Sequence, residues 1–436
     1  MKLCRRSAVV SLALATFLGI ALSNPFAAAG PPGTTRRPPA DRTTSRVKPF
    51  APEKLLRAFR GSREDLRHKV LDDAERLYLA DPQLPPTLWQ AIEPALKVPQ
   101  VPESLLRAVR LFGRLDDSEA TTRLVALLSA ADPHLVQTAV DILAERRPAA
   151  ALEKLAALTE HPAFKERYGF RHAVVSAVAG FNEPASVGFL VGAIGSIDGQ
   201  LKYETARELA RLTGENFGGR SGDWRKWWDA HREGFRVAAA PAAPVAPVKA
   251  AAPIPWDVNV PQFFGTLIYA RRVVFVIDKS KSMLSSVDSV TRLDSAQKEL
   301  EGAIRGLPDY SWFEIIAYND FEQPYAGKLV PATPAEKSGA VQFIYSLVAE
   351  RKTDIFDTLS DALTVDPNLE AIVFLSDGEP NVGRIVDCPT ILQKITQQNA
   401  QQRTSIHAIG IDAQGAAEDF LKKLAADNFG EYRSIR

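Results

Sequence analysis

The chain has 436 residues, of which 46% are hydrophobic and 24% are charged, and its formal net charge is +1. This length and composition allow a sizeable buried core and predict two globular domains. The near-zero net charge argues against a general electrostatic attraction to nucleic acid or to an anionic membrane, so a charged partner has to be recognised locally. The two cysteines, Cys4 and Cys388, provide no intrachain disulfide framework if the first residues are removed.

The first residues have the pattern of an export signal. Three basic residues precede an apolar stretch at 7–22, and small residues follow up to Ala29. We therefore predict a cleaved signal peptide over residues 1–29 and an exported protein that is periplasmic, secreted or at the cell surface. Retention as an anchor is the alternative, but the apolar stretch is shorter than the roughly 20 residues that cross a bilayer. No other stretch is apolar enough, so we expect no transmembrane segment in the mature chain.

Two segments of biased composition divide the rest of the chain. Residues 30–52 are rich in Pro, Thr and Arg, which predicts a disordered leader. Residues 236–255 are dominated by Ala, Pro and Val, which predicts a semi-rigid linker that allows the flanking domains to move relative to one another. These segments bound a first domain at 53–235 and a second at 256–436.

The first domain has a repeating helical pattern. Four predicted helices begin roughly 30 to 36 residues apart, as in helical-pair solenoids, at 105–115, 135–144, 171–181 and 202–212. Predicted partner helices lie between them at 119–128, 149–158 and 185–194. The stretch resembles the HEAT repeat family, including an Ala131-Asp132-Pro133 corner before one helix. That resemblance implies an all-α solenoid with an extended interaction surface; a compact helical bundle is the alternative.

Trp224, Trp227 and Trp228 fall on one stripe of a predicted helix at the end of this domain. Such a stripe indicates a cap packed on the last repeat rather than a ligand cage. The six histidines show no spacing typical of a transition-metal site.

The second domain alternates short apolar runs with amphipathic helices. Strands are predicted at 273–277, 313–318, 371–376 and 405–411, with a further edge strand at 431–435. Helices are predicted at 292–305, 335–349, 354–363, 389–401 and 417–427. This alternation predicts a doubly wound, Rossmann-like α/β domain with a mainly parallel sheet. Ligands of such sheets bind outside the carboxyl ends of the strands.

Oxygen-bearing side chains follow the strands at that edge. Asp278, Ser280 and Ser282 come directly after the first strand, Thr353 lies in a loop that opens a helix, and Asp377 ends another buried strand. Two carboxylates and three hydroxyls are hard donors that suit Mg²⁺, Mn²⁺ or Ca²⁺. Because Mg²⁺ takes about six oxygens, water or a partner has to complete the shell.

These residues, in this order, make residues 273–435 resemble a von Willebrand factor type A (vWA) domain with a metal-ion-dependent adhesion site. The family pattern is Asp-x-Ser-x-Ser, then Thr, then Asp commonly followed by Gly. The resemblance implies a six-stranded sheet flanked by helices, with Asp278, Ser280, Ser282, Thr353 and Asp377 around Mg²⁺ or Mn²⁺. It also implies a protein partner that offers an acidic side chain to the metal. We interpret the chain as a metal-dependent binding or adhesion module rather than an enzyme, with the helical domain as a second interaction surface.

Basic residues flank the predicted ligands. Lys281 stands where the family often has Gly, Lys279 precedes Ser280, and Arg351 and Lys352 precede Thr353. Like-charge repulsion from them would weaken cation binding, whereas an acidic partner would be attracted. We hypothesise that these four residues steer an anionic ligand to the site.

Two other functions share parts of this pattern. A haloacid-dehalogenase-type phosphohydrolase also begins with an apolar strand that ends in Asp, but it needs a second Asp two residues later as general acid, and this chain has Ser280 there. The other alternative is a scaffold whose metal site is only structural.

Overall fold

The structure is a computed structural model, and it describes residues 49–436 apart from 116–117, 238–258 and 288. The predicted signal peptide, almost all of the predicted leader and most of the predicted linker lie outside the described residues. In the part of the chain that is described, no helix is long and apolar enough to span a membrane.

A helical region comes first. Its α-helices are α1 (Pro52–Arg60), α2 (Glu64–Leu77), α3 (Leu84–Ile92), α4 (Glu103–Arg114), α5 (Ala120–Leu127), α6 (Pro133–Arg146), α7 (Leu152–Ala157), α8 (Pro162–Glu166), α9 (Tyr168–Gly180), α10 (Pro184–Ala193), α11 (Gly199–Thr213) and α12 (Ser221–His231). Short 3-10 helices lie at Glu93–Lys97, Ala149–Ala151 and Leu158–Glu160.

The four predicted repeat helices are present as α4, α6, α9 and α11, and successive members of this series pack against each other. The predicted corner before α6 forms because the Asp132 side chain accepts a hydrogen bond from the His134 backbone amide (2.7 Å) and Pro133 opens the helix. One partner helix is shorter than predicted, since α7 is flanked by 3-10 turns at both ends. The region is all-helical as expected, and its assignment to the HEAT family stays a prediction.

The tryptophan stripe packs as a cap. The Trp224 side chain is fully buried, and its indole Nε1 donates to the Gly218 carbonyl at 2.8 Å. Trp227 and Trp228 are half-buried against the helical core and against Phe235.

An α/β domain follows. Its strands are β1 (Gln262–Phe263), β2 (Thr266–Leu267), β3 (Arg272–Asp278), β4 (Ser286–Val287), β5 (Val290–Thr291), β6 (Trp312–Tyr318), β7 (Glu322–Pro324), β8 (Val330–Pro331), β9 (Ala371–Ser376), β10 (Ser405–Ile411) and β11 (Tyr432–Ile435). Its helices are α13 (Arg292–Gly306), α14 (Pro334–Ser346), α15 (Ile355–Ala362), α16 (Cys388–Asn399) and α17 (Gly415–Asp427), with a 3-10 turn at Lys281–Leu284.

The main sheet has the order β11-β10-β9-β3-β6-β7, and β8 also pairs with β6. The five strands from β11 to β6 are parallel, whereas β7 and β8 run antiparallel to β6. The doubly wound α/β fold is therefore as predicted, but the implied count of six strands is wrong, because the sheet has seven. The extra edge strands are two or three residues long and contain Pro324 and Pro331, so they lack a readable strand pattern.

The sheet is buried on both faces. Side chains of β3 alternate, with Val273, Phe275 and Ile277 facing the cluster that includes α13 and α14. Val274 and Val276 face the opposite cluster, which includes α15, α16 and α17. Burial on both faces explains why the parallel strands are continuous apolar runs.

The helical region covers the amino ends of the parallel strands. Glu370, just before β9, accepts hydrogen bonds at one carboxylate oxygen from the backbone amides of Gln200 (3.0 Å) and Arg271 (3.1 Å). Arg403, just before β10, pairs with Asp141 of α6 at 2.6 Å. The expectation that the linker lets the two regions move independently is wrong, because these contacts join them directly.

Candidate metal site at the carboxyl edge

Asp278 ends β3 and is fully buried. Its Oδ1 accepts from the Ser280 backbone amide at 2.8 Å. Its Oδ2 accepts from the Ser376 hydroxyl at 2.8 Å and from the Tyr318 hydroxyl at 3.3 Å. Tyr318 lies directly beside Asp278 in the register of β3 and β6. Neighbouring strands thus fix the orientation of this carboxylate.

Burial, together with the nearby Asp377 carboxylate, raises the pKa of Asp278 to about 6. Both causes disfavour the ionised form. A divalent cation beside Asp278 would relieve this penalty, because it stabilises the deprotonated carboxylate.

A chain of hydrogen bonds connects the hydroxyls to the second carboxylate. The Ser280 and Ser282 hydroxyl oxygens are 2.9 Å apart, and the Ser282 hydroxyl donates to Asp377 Oδ1 at 2.8 Å. Ser280 and the Asp377 side chain are buried, whereas Ser282 is exposed. Four of the five predicted ligands are therefore brought together, and Ser282 opens the group to solvent.

Thr353 reaches the same edge through its backbone. Its amide donates to the Asn381 side-chain oxygen at 3.0 Å, and its carbonyl accepts from the Asn381 amide at 3.0 Å. In the same loop, the Arg351 carbonyl accepts from the Lys281 amide at 3.2 Å. The loop that carries Thr353 is thereby bonded to both of the other ligand loops.

Arg292 provides an internal cation at the site. Arg292 is the first residue of α13. One terminal nitrogen of its guanidinium donates to Asp377 Oδ2 at 2.8 Å, and its Nε donates to Asp412 at 3.1 Å. A capping box between Thr291 and Asp294 fixes the start of this helix. The guanidinium balances the buried charge of Asp377.

Sequence reasoning did not assign roles to Arg292, Ser376, Tyr318 or Asn381. Two of them had a usable signal, since Ser376 immediately precedes Asp377 and Tyr318 ends the predicted strand at 313–318. The pairing of Arg292 with Asp377 joins residues 85 positions apart, so it depends on the tertiary fold.

The four basic residues proposed to steer a ligand differ in exposure. Lys279 is buried, with its ammonium 5.4 Å from the centre of the Phe321 ring, and burial lowers its pKa. It does not fit a steering role, because it does not reach solvent. Lys281 and Lys352 are exposed, and Arg351 is exposed but lies within 3.5 Å of Asp320 and 3.4 Å of Glu350.

The donor set fits a hard divalent cation. Every predicted ligand offers carboxylate or hydroxyl oxygen, and such oxygens suit Mg²⁺, Mn²⁺ and Ca²⁺. No three His, Cys, Asp or Glu side chains cluster as metal ligands among the residues that the structure describes. A cation here would accordingly rely on the serine and threonine hydroxyls as well as the two aspartates.

Residues 271–434 match the family model described as the von Willebrand factor type A domain. The α/β domain is a vWA domain. Domains of this family commonly bind a divalent metal at the metal-ion-dependent adhesion site and mediate protein–protein interaction.

Known proteins are similar to this chain in the vWA domain. Human inter-alpha-trypsin inhibitor heavy chain H2 is 25% identical over 171 residues, which are 37% of this chain and 17% of the relative. A von Willebrand factor type A structure from Catenulispora acidiphila is 20% identical, covers 39% of this chain and 40% of its own, and has a TM-score of 0.33. Proximal thread matrix protein 1 from the mussel byssus, solved with zinc in its adhesion-site motif, is 16% identical, covers 38% and 43%, and has a TM-score of 0.29. The matched residues span about a sixth of the length of heavy chain H2.

Proposed function

We propose that this chain is an exported protein-binding module whose vWA domain binds a partner through a divalent cation. Asp278, Ser280, Ser282, Thr353 and Asp377 would hold Mg²⁺, Mn²⁺ or Ca²⁺, directly or through water. An acidic side chain of the partner would complete the shell. The observation that supports this most is the hydrogen-bonded series from Ser280 through Ser282 to Asp377, next to the buried Asp278.

The charges around the site favour a carboxylate as the completing group. Arg292 is paired with Asp377, so Asp278 is the main carboxylate left to balance a bound dication. Exposed Lys281 and Lys352 add positive charge on the same edge. A partner carboxylate would therefore be attracted to the loaded site more strongly than a neutral oxygen.

The helical region would serve as a scaffold and as a second interaction surface. Its contacts at Glu370 and Arg403 lie at the amino ends of the strands. The proposed metal site lies at the carboxyl ends, so docking of the helical region leaves it accessible.

Calorimetric titration of Mg²⁺ and Mn²⁺ into the chain from Gly30 onward tests the proposal. We expect binding in the wild type, and its loss in Asp278→Asn and Asp377→Asn with the circular dichroism spectrum unchanged. Asp309→Asn is the matched control, because this carboxylate is exposed and remote from the ligand loops. Equal binding by all four proteins would contradict the assignment of the site.

Export and the absence of catalysis need separate measurements. Recovery of protein that begins at Gly30 from outside the cytoplasm of the host would support the proposed signal peptide. Mg²⁺-dependent hydrolysis of p-nitrophenyl phosphate that Asp278→Asn abolishes would instead favour the phosphohydrolase.

A further inference from the structure

Five exposed apolar side chains lie on loops at the same edge of the sheet as the proposed metal ligands. Leu284, Val290, Phe321, Val348 and Val386 are between 48% and 66% exposed. We refer to these five residues as the apolar rim. Leu284 and Val290 lie between β3 and α13, Phe321 between β6 and β7, Val348 between α14 and α15, and Val386 between β9 and α16.

Backbone hydrogen bonds tie these loops together. Leu284 belongs to the same 3-10 turn as Ser282. The loop after Val348 is joined to Lys279 by the Glu350 amide, which donates to the Lys279 carbonyl at 2.9 Å. Phe321 contacts that loop as well, with the Arg351 guanidinium 4.7 Å from its ring centre. Leu284, Phe321 and Val348 are therefore held beside the loops that carry the proposed ligands.

The other exposed large hydrophobic side chains of the described α/β domain have identifiable contacts. Tyr310 and Trp312 lie under Arg271 and Arg272, at 4.8 and 5.7 Å. The Tyr345 hydroxyl donates to Glu301 at 2.7 Å. Phe429 contacts Arg403 and the His172 ring.

Four residues of the apolar rim are aliphatic and differ from that group, whereas the Phe321 ring lies against Lys279 and Arg351. Leu284, Val290, Val348 and Val386 carry no polar atom that could explain their position on the surface. Concentrated exposure of this kind marks an interaction surface more often than isolated exposed residues do.

The charges on these loops narrow the choice of partner. Asp320 and Glu350 pair with Arg351, and Asp357 pairs with Arg384. Lys281 and Lys352 are exposed on these loops together with the carboxylates of Glu379 and Asp387, of which Asp387 caps the start of α16. The surface combines a proposed cation, exposed lysines and bulky apolar side chains, and its complement is both acidic and apolar.

We propose that the partner of this site is an acidic peptide segment in which bulky apolar residues flank the carboxylate that reaches the metal. This inference rests on the proposed function. A metal–carboxylate contact by itself accepts any accessible Asp or Glu, whereas the apolar rim selects the segments that bury apolar side chains beside it.

Selection from a displayed library of random heptapeptides with a fixed central Asp tests the inference. The full mature chain is loaded with Mn²⁺, and bound peptides are eluted with EDTA. We expect enrichment of Leu, Ile, Val and Phe beside the Asp and depletion of Lys and Arg. The best synthetic peptide should bind at least tenfold tighter than its analogue with Ser at the flanking positions. Enrichment of polar flanking residues, or no enrichment, would overturn the inference.

Variants separate the apolar rim from the metal site. The combined change Leu284→Ser, Val348→Ser and Val386→Ser should weaken peptide binding at least tenfold and leave the calorimetric Mn²⁺ affinity unchanged. Leu66→Ser with Val98→Ser is the matched control, because these exposed apolar residues lie in the helical region.

Each other result has a defined meaning. Unchanged peptide binding by the triple variant overturns the inference. So does a triple variant that loses phosphatidylglycerol vesicle binding or self-association instead, because the rim would then face a membrane or a second copy. Failure of the wild type to bind Mn²⁺ overturns the proposed function as well, which distinguishes the two failures.

Discussion

The two edges of the parallel sheet are formed by the ends of the same strands, but their polar groups have different partners. At the amino edge, the helical region satisfies the carboxylate of Glu370 with two backbone amides and pairs Arg403 with Asp141. At the carboxyl edge, buried carboxylates are joined to an exposed serine hydroxyl, and apolar side chains remain in solvent. The amino edge is thus closed within the chain, whereas the carboxyl edge leaves a hydroxyl and apolar side chains in solvent, as the proposed binding of a metal and a partner requires.

Close backbone approach makes the amino edge a tight interface. A Cβ atom at Gly169 would lie 2.1 Å from the Gln401 carbonyl oxygen, and one at Gly199 would lie 2.0 Å from a Glu370 carboxylate oxygen. Gly199 also has a φ of +61°, which favours glycine. Neither position has room for a side chain, and no comparable closure covers Ser282.

Removing the positive charge of Arg292 tests whether the carboxyl edge needs a bound cation. Arg292→Met removes the cation paired with the buried Asp377 side chain. We expect a loss of about 3 to 5 kcal/mol in the free energy of unfolding without metal, because an uncompensated charge stays buried. Saturating Mg²⁺ should reduce this loss, since a bound cation would balance Asp377. Urea unfolding with and without Mg²⁺ measures both values.

Arg305→Met is the control for this prediction. Its partner Glu301 lies on the exposed face of the same helix, and surface pairs contribute little. If Arg292→Met lowered the free energy of unfolding equally with and without Mg²⁺, no cation would be reaching Asp377.

The next effect concerns pH at the amino edge. Burial raises the pKa of Glu370 from its ordinary 4.5 to about 7. The protonated Glu370 carboxyl therefore contributes to the free energy of unfolding. This contribution is fully present below about pH 4.5 and is lost as pH rises through about 7, because the folded state then holds an ionised, desolvated carboxylate. Glu370→Gln should remove this dependence, which is on the order of 3 kcal/mol at 1.36 kcal/mol per pKa unit.

Unfolding free energies measured from pH 4 to 8 check the sign. The gap between Glu370→Gln and the wild type should shift in favour of the variant as pH rises. Glu215→Gln, an exposed site in the same helical region, serves as the matched substitution. A constant gap across this range would contradict the assignment to Glu370.

A third variant opens the amino edge directly. Gly169→Ala places a methyl group against the backbone carbonyls of Gln401 and Gln402, which cannot move aside as a flexible side chain would. Overpacking of this kind typically costs about 1 to 3 kcal/mol. We expect faster proteolysis between the helical region and the vWA domain, with Mn²⁺ affinity preserved.

Gly192→Ala is the control for the closed interface. A Cβ atom at Gly192 would meet nothing within 4 Å. Only helix propensity should then change the stability, and helix propensity favours Ala over Gly. Loss of Mn²⁺ binding in Gly169→Ala would show that the two edges are coupled rather than separate.

The same contrast explains what the sequence could predict. Strands β3, β9 and β10 are continuous apolar runs, so their type and position followed from local pattern, and Asp278 and Asp377 followed from their place at strand ends. The docking of the helical region did not, because it depends on single residues such as Gln200 and Glu370, 170 positions apart. The buried state of Lys279 was also hidden, since a lysine in a loop reads as solvated until the Phe321 ring is placed over it.

Reversing the exposed charges of Lys281 and Lys352 tests whether they alter metal binding at the open edge. Lys281→Glu and Lys352→Glu each replace a cation near the ligand loops by an anion. Coulombic attraction should then tighten Mn²⁺ binding by less than about 1 kcal/mol per change, because both side chains are in solvent. The gain should disappear near 1 M salt, where the screening length is about 3 Å.

Lys298→Glu is the control, because Lys298 is exposed on α13. Its effect on Mn²⁺ affinity should be smaller, and an equal effect would mean that net charge rather than local charge sets the affinity. The same two reversals should slow association with an acidic peptide, so metal and partner affinities would change in opposite directions at the open edge only.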